Sequence, residues 1–304
     1  MSKLSTFLRS SSLYWATGGW TFFIAENLIL SENRTYLVET FGDASYHNGY
    51  GLISTMAMGS VAYAYWFKIR DVPPLLWSSK ATLPFVPLPW RVASWICFSL
   101  GLGMASQTLP KFQLPVVLVP NPQDTDETVN VDARNNLIKS SDSASTSPPK
   151  SSFQVRCPFD FTDKKTSSEE VKGLDRISRH PGLWSFGLIG LGQSCLVPSI
   201  PQRLWLMMPL AVAWIGGAHT DSRFRRGMGG TLEPEYDRQT SNVPFAAMIT
   251  SQGGWEALIK DELKLWNLAA ALALAATHVF SRRYGALTSA ATMKNKMQNV
   301  TRGM

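Results

Sequence analysis

The sequence predicts an all-α protein, a multi-pass transmembrane helical bundle with about six spans. Apolar residues are concentrated in six segments, and a helix needs about 20 such residues to cross a bilayer core of about 30 Å. Many of the 11 tryptophans stand at the ends of these segments, as in the aromatic belts of membrane proteins. The segments are residues 13–30, 50–67, 86–109, 182–197, 204–219 and 265–280.

The fourth and fifth segments are shorter than a full span, and only residues 198–203 separate them. Short spans are tolerated when the lipid thins around them or when they pack inside a bundle. A buried hairpin in a soluble helical protein is the other interpretation of this pair. The presence of six comparable segments favours the membrane protein.

A polar loop divides the six segments into two groups of three. Residues 121–152 are rich in Ser, Asp, Asn and Pro, so they bury too little apolar surface to offset the entropy lost on ordering. The chain is therefore predicted to contain a basic tail or targeting segment, a three-helix half, a flexible Ser-rich loop, a second three-helix half and a basic carboxyl-terminal tail. Their bounds are 1–12, 13–118, 119–170, 171–282 and 283–304.

The first twelve residues contain Lys3, Arg9, several serines and no acid. This composition is typical of organelle-targeting peptides, so we expect an integral membrane protein of a plastid or mitochondrion. The other interpretation is a short basic tail ahead of the first span.

Composition and motifs exclude several function classes. The formal net charge of +7 is divided among loops on both faces of the predicted membrane, which does not favour nucleic-acid binding and leaves the orientation undecided. No HExxH, GxSxG or CxxC motif is present, so the sequence offers no zinc-protease, serine-hydrolase or thioredoxin-like chemistry. Cys97, Cys157 and Cys195 cannot all pair within one chain, and two of them lie inside apolar segments, so buried free thiols are expected.

The alternation of six spans places scattered polar residues on one face of the membrane. His47, His180 and His219 share this face, and Glu26 lies towards it, whereas His278 falls on the opposite side. An ionisable group inside a span costs about 2.5–3.5 kcal/mol on insertion scales, so Glu26 should face the bundle interior and have a partner. We consider a metal or proton site helped by Asn27 and, alternatively, a tilted span in which Glu26 pairs with an arginine.

His180 precedes Pro181, which suits the first turn of a helix because its missing N–H is not needed there. A helix N-terminus beside two arginines favours an anion such as a lipid phosphate, or it fixes the position of the span. Asp221 and Arg223 are expected to pair near the end of the fifth span, together with His219. The predicted lipid or anion cluster is Arg176, Arg179, His180, His219, Asp221 and Arg223.

Five stretches resemble the NnrU-domain membrane proteins, in particular the 15-cis-zeta-carotene isomerases of plants and algae. They are RISRHP at 176–181, HTDSRFRR at 219–226, RQTSNVPFAAMI at 238–249, FGDASYHNGYGLIS at 41–54 and PPLLWSS at 73–79. The resemblance covers most of the chain outside the Ser-rich loop, and TSNVPFAA is its most specific part. It implies a multi-pass plastid membrane protein that carries haem b and isomerises the central cis double bond of a carotene.

The resemblance also implies two histidine ligands for the haem iron, and these positions are occupied here by Glu26 and Gln193. Without both imidazoles, ordinary haem b ligation is not expected. His180 matches a motif residue of the family that is not a ligand, and His47 and His219 lie at the edge of the membrane.

Two functional hypotheses follow from the resemblance. The first is a haem-free relative with a lipid-binding or structural role, whose partners are membrane lipids, an apolar polyene or other membrane subunits. The second is an active carotenoid cis–trans isomerase, which would need haem b. A transporter that uses Glu26 as its proton site has little support, because broken helices are not evident in the sequence.

Overall fold

The computed structural model describes residues 11–72, 86–108, 116–120, 151–155, 171–252 and 254–281. Nearly all of the first twelve residues and of the Ser-rich loop lie outside these ranges. The same holds for Cys157, the PPLLWSS stretch and the carboxyl-terminal tail. The predictions made for those parts of the chain therefore stay predictions.

The described chain is mainly helical. Its α-helices are α1 (Ser11–Glu32), α2 (Arg34–Phe41), α3 (Asp43–Tyr63), α4 (Leu88–Thr108), α5 (Leu174–Ile177), α6 (Pro181–Cys195), α7 (Ile200–Arg225), α8 (Pro234–Gln239), α9 (Trp255–Ala257) and α10 (Leu265–Ser281). Wider, π-helical turns extend α3 over Ala64–Ile69, extend α9 over Leu258–Glu262, and occur at Met248–Gln252.

Each of the six apolar segments coincides with one long helix: α1, α3, α4, α6, α7 and α10. The prediction of an all-α bundle is thereby confirmed for the described residues, apart from one short pair of strands. By length and hydropathy, none of the described helices qualifies on its own as a membrane-crossing segment. The stretches Trp255–Glu262 and Leu265–Ser281 qualify only jointly, and they meet at an angle of 96°.

The pair of strands lies at the borders of the Ser-rich loop. β1 (Val116–Pro120) and β2 (Ser151–Val155) are antiparallel, with Val116 opposite Val155. Valine favours extended backbone, which accounts for β1. Residues 119–120 and 151–155, which the sequence assigned to the loop, therefore lie in strands.

Proline and polar residues set the bounds of the central helices. Pro181 occupies the first turn of α6 and His180 the preceding cap position, as the sequence predicts. Pro201 likewise lies in the first turn of α7. That helix has 26 residues and continues to Arg225, well past the predicted end at residue 219. It continues because its last, polar turns are buried against other polar segments.

The antiparallel hairpin of α6 and α7 forms the centre of the bundle. Helix α1 packs against α7 and carries α3 on its other side, while α4 packs against α6 and carries α10. The order of neighbours is therefore α3–α1–α7–α6–α4–α10. Trp20, Phe23 and Val212 belong to the core on the α1 side, and Phe98 and Val279 to the core on the α4 side.

The bundle has two chemically different ends. One end contains the carboxyl-terminal ends of α1, α4 and α7 and the amino-terminal ends of α3, α6 and α10. We call it the polar end, and it includes Glu32, His180, Asp221, Arg226 and Asp237. At the other, which we call the basic end, lie Lys68, Arg70, Arg91 and Arg203.

Candidate functional site at the polar end

Three stretches that are distant in sequence come together at the polar end. The backbone N–H of Arg179 donates to the carbonyl of Ser241 at 2.9 Å, and the Ser178 hydroxyl donates to the carbonyl of Asn242 at 2.6 Å. These bonds join residues 176–181 to residues 238–249. Side chains of residues 219–226 complete the assembly, so it combines three of the stretches that carry the family resemblance.

A buried carboxylate, Asp221, is at the centre of this assembly. Its two oxygens lie 2.8 Å from Arg179 Nη2 and 2.8 Å from His180 Nε2. The side chains of Asp221 and Arg179 are 4% and 6% exposed. An ionised carboxylate only accepts hydrogen bonds, so the proton in the second contact is on His180 Nε2. Burial by itself raises the pKa of Asp221, but its interactions with His180 and Arg179 outweigh this and hold the pKa below the ordinary value.

Asp237 extends the network from Arg179 to the end of α7. It accepts a hydrogen bond from Arg179 Nη1 and a two-pronged pair from Arg225, with Nε at 2.6 Å and Nη2 at 2.8 Å. The hydrogen bond from Arg225 is the main reason why the pKa of Asp237 lies below its ordinary value. Two arginines and two aspartates thus tie α6, α7 and α8 together.

This network predicts a loss of stability in acid. The pKa values of Asp221 and Asp237 lie below the ordinary 3.8, so the unfolded chain binds more protons than the folded one. The stabilisation is complete above about pH 5 and is lost progressively as the pH falls through and below 3.8. The melting temperature of the purified protein should fall by several degrees in that range, and Asp237→Asn should reduce the slope. An unchanged slope in this variant would contradict the assignment.

His219 belongs to a second polar group, on α1 and α7. Its Nε2 lies 2.7 Å from the Ser31 hydroxyl and 4.0 Å from Glu32, which also forms an ion pair with Arg226. Asp221 therefore pairs with Arg179 and His180, and not with Arg223 and His219 as the sequence suggested. Residues two apart on a helix point in different directions, which explains the difference.

Arg176 does not join the Asp221 network. Its Nε lies 2.9 Å from Glu262, and the same carboxylate accepts the backbone N–H of Gly173 at 2.8 Å. Five of the six residues of the predicted anion cluster thus fall into three neighbouring groups. The sixth, Arg223, is buried at the end of α7. Arg176 and Arg179 are both paired with carboxylates of the chain itself, and their binding of an external anion stays a prediction.

Asn242 is a site residue that sequence reasoning missed. Its Oδ1 accepts the indole N–H of Trp184 at 3.0 Å, and its Nδ2 donates to the carbonyl of Trp214 at 3.2 Å. A Cβ on Gly217 would lie 2.3 Å from Oδ1, so only glycine permits this approach. The available signal was the position of Asn242 within TSNVPFAA. Asn242 fixes the 238–249 segment against α6 and α7.

The other two histidines lie at opposite ends of the bundle. His47 is in the first turns of α3, where its Nδ1 contacts the Asp43 carbonyl at 2.8 Å. His278 is near the end of α10, and its Nε2 lies 3.0 Å from Gln193 Oε1. His47 is thus at the polar end with His180 and His219, whereas His278 is at the basic end.

Glu26 lies inside the bundle and is 5% exposed. Its Oε1 accepts hydrogen bonds from Asn27 Nδ2 at 2.7 Å and from the Ser54 hydroxyl at 2.8 Å. The Tyr50 hydroxyl in turn donates to Asn27 Oδ1. Asn27 thus contacts Glu26, as its position in the sequence suggested, whereas a metal or proton site at this point stays a prediction. Both bonds to Oε1 come from neutral groups of α1 and α3, instead of the arginine considered from the sequence.

Glu26 and Gln193 do not fit a shared haem iron. The partner of Glu26, Ser54, is on α3, and the partner of Gln193, His278, is on α10. These helices are at opposite ends of the order of neighbours, so the two side chains turn towards opposite flanks. Neither residue is an imidazole, the ordinary ligand of haem b at these positions. As a separate matter, no group of three or more His, Cys, Asp or Glu side chains among the described residues is placed to hold a metal ion.

Comparison with known proteins gives no match: no protein-family model, curated protein or solved structure is significantly similar to the chain. The resemblance to NnrU-domain proteins therefore rests on the five stretches quoted above. Three of them lie together in the assembly around Asp221.

Proposed function

We propose that the protein is a haem-free, multi-pass membrane protein of the NnrU type with a lipid-binding or structural role. The observation that carries this proposal is the apolar outer surface of the bundle. On α4, exposed Leu88, Val92, Ile96 and Leu100 follow one another at intervals of four and so form one stripe. The outward face of a helix in a water-soluble bundle is normally polar.

Other long helices repeat this pattern. Helix α1 exposes Trp15, Phe22 and Ile29 at intervals of seven, and α10 exposes Leu272 and Leu274 among others. Large apolar patches of this kind are uncommon on soluble monomers and fit contact with lipid or with another membrane subunit. No described helix alone meets the length-and-hydropathy criterion. The two shortest of the six long helices, α6 with 15 residues and α10 with 17, are accommodated by local thinning of the bilayer.

The charges support the same proposal. Helix α10 contains no Asp, Glu, Lys or Arg, and in α1 the carboxylate of Glu26 is turned inside the bundle. The remaining charged groups of the long helices lie near their ends, where polar headgroups and water meet a membrane protein. An organelle membrane, in a plastid or mitochondrion, is the location that the basic first twelve residues favour.

The haem-free part of the proposal rests on Glu26 and Gln193. Each is held by a partner on its own flank of the bundle, and neither supplies an imidazole. A carotenoid isomerase that works through haem iron would need both positions to converge on one metal. The arrangement instead favours a structural role for these side chains, with membrane lipids, an apolar polyene or other subunits as partners.

Two measurements on one preparation test the proposal. After expression, the chain should stay in the membrane pellet through an alkaline carbonate wash and should require detergent for extraction. The purified protein should show no stoichiometric Soret band, with or without dithionite. Release by carbonate would contradict the membrane location, and a Soret band that shifts on reduction would contradict the haem-free assignment. If the protein converted tri-cis zeta-carotene in a host that lacks its own isomerase, the hypothesis of an active carotenoid isomerase would replace this proposal.

A further inference from the structure

Basic side chains at the basic end are held against aromatic rings. Lys68 Nζ lies 5.4 Å from the ring centre of Trp15, and the guanidinium carbon of Arg70 lies 5.4 Å from that of Trp66. Arg91 is 4.9 Å from Phe280, and Arg203 is 4.3 Å from Trp90. Tryptophan and long basic side chains occur together where a membrane protein meets the headgroup layer, because each has an apolar body and a polar tip.

Two of these arginines also mark where the helices end. Arg91 Nη2 donates to the carbonyl of Phe280 at 2.9 Å, and Arg203 Nη2 donates to that of Val197 at 3.2 Å. Cations are favourable at helix C-termini, where backbone carbonyls lack partners in the helix. Lys68 and Arg70 are the more exposed pair and are directed outwards.

Charge is balanced differently at the two ends. At the polar end, carboxylates of the chain pair with arginines such as Arg179, Arg225 and Arg226. Among described residues of the basic end, Asp71 is the one carboxylate, and it is 86% exposed, 3.6 Å from Arg70. An exposed pair of this kind has little stabilising energy. Among the described residues, the basic end therefore carries a net positive charge that its one carboxylate does not neutralise.

The sequence beyond α10 is also basic. The chain after Ser281 contains no acidic residue. Its basic residues are Arg282, Arg283, Lys294, Lys296 and Arg302. Clusters of Lys and Arg next to a membrane segment are typical of proteins that contact anionic lipids.

We infer that the basic end is the surface through which the protein contacts an anionic lipid leaflet, with Lys68 and Arg70 as the main headgroup contacts. The inference rests on the proposed membrane location and names the lipid class and the residues that select it. Aromatic rings at headgroup level position the cations, and the scarcity of carboxylates among the described residues of this end leaves Lys68 and Arg70 accessible to lipid phosphates. It also orients the protein, because the basic end then faces the anionic leaflet and the polar end faces away from it.

A lipid-retention experiment on the full-length protein tests the inference. The protein in detergent is incubated with equal amounts of phosphatidylcholine and phosphatidylglycerol, purified again, and its retained lipids are quantified by mass spectrometry. The wild type should retain an excess of phosphatidylglycerol. Each basic residue near an anionic surface changes the preference by roughly fivefold, so Lys68→Gln with Arg70→Gln should lower the ratio by at least about that factor.

The matched control is Arg238→Gln with Lys260→Gln, which removes two exposed bases of the polar end that are paired with Glu235 and Glu256. This variant should keep the wild-type ratio. The inference would be overturned if the wild type retained both lipids equally, or if the control variant lowered the lipid ratio as much as the test variant does. The positive charge would then be assigned to contact with an acidic partner protein. Retention of neither lipid would instead contradict the proposed membrane location. Melting temperatures of both variants close to wild type would show that folding is intact.

Discussion

Replacing Asp221 with asparagine should destabilise the protein by about 3 kcal/mol, because it leaves a buried guanidinium and a buried imidazole without their anion. Removing one partner of a buried ion pair costs about 3–5 kcal/mol. The lower value applies here because Arg179 keeps its contact with Asp237. In a chain of this size the melting temperature should fall by roughly 6–12 °C, measured by circular dichroism in detergent.

The control for this variant is Glu235→Gln at the same end of the bundle. Glu235 pairs with Arg238, but the two side chains are 63% and 74% exposed. Exposed ion pairs contribute about 0–1 kcal/mol, so this variant should melt close to wild type. If Asp221→Asn also melted within a degree or two of wild type, Asp221 would not be the anion that joins α6 to α7.

The long helices could be predicted from the sequence because their apolar residues are continuous. The predicted ends of helices were wrong where burial depends on pairing between polar residues, as at the end of α7. Its last turns contain Asp221, Arg223 and Arg225, and from the local sequence these charged residues predict the start of a loop. Arg223 is nevertheless 1% exposed. Asp221 is buried against Arg179 and His180, which come from the segment before α6, so the local sequence of α7 does not contain the information.

The sequence identified several residues of the candidate site, but it did not predict which of them contact each other. Arg179 and His180 were singled out because a helix N-terminus beside arginines favours an anion. Asp221 was singled out as an interfacial partner of Arg223 near the end of a predicted span. Asp221 instead pairs with the first two, which joins the start of α6 to the end of α7, and Asp237 comes from a third segment. Likewise, the cost of Glu26 was evident from α1 alone, whereas Ser54 is supplied by α3. Which residues become partners depends on which helices are neighbours in the bundle, and the types of the residues do not determine that.

The central hairpin depends on close backbone contact between α6 and α7. A Cβ built on Gly190 would lie 2.5 Å from the carbonyl oxygen of Leu206 and 3.2 Å from the ring of Pro209. A backbone carbonyl cannot rotate away as the tip of a flexible side chain can, so the helices would have to separate. Small residues at such crossings are what allow helices to associate closely in membranes.

Gly190→Ala should therefore lower the stability by about 1–3 kcal/mol, the usual cost of overpacking a tight core. Gly18→Ala is the matched control, since a Cβ on Gly18 of α1 meets nothing within 4 Å. Both variants make the same change inside a long helix, and the change in intrinsic helix propensity, at most about 1 kcal/mol, favours alanine in each. The difference between their melting temperatures isolates the contact with Leu206. Equal melting temperatures would mean that α6 and α7 are not pressed together at this point, and the packing order built on their hairpin would lose its centre.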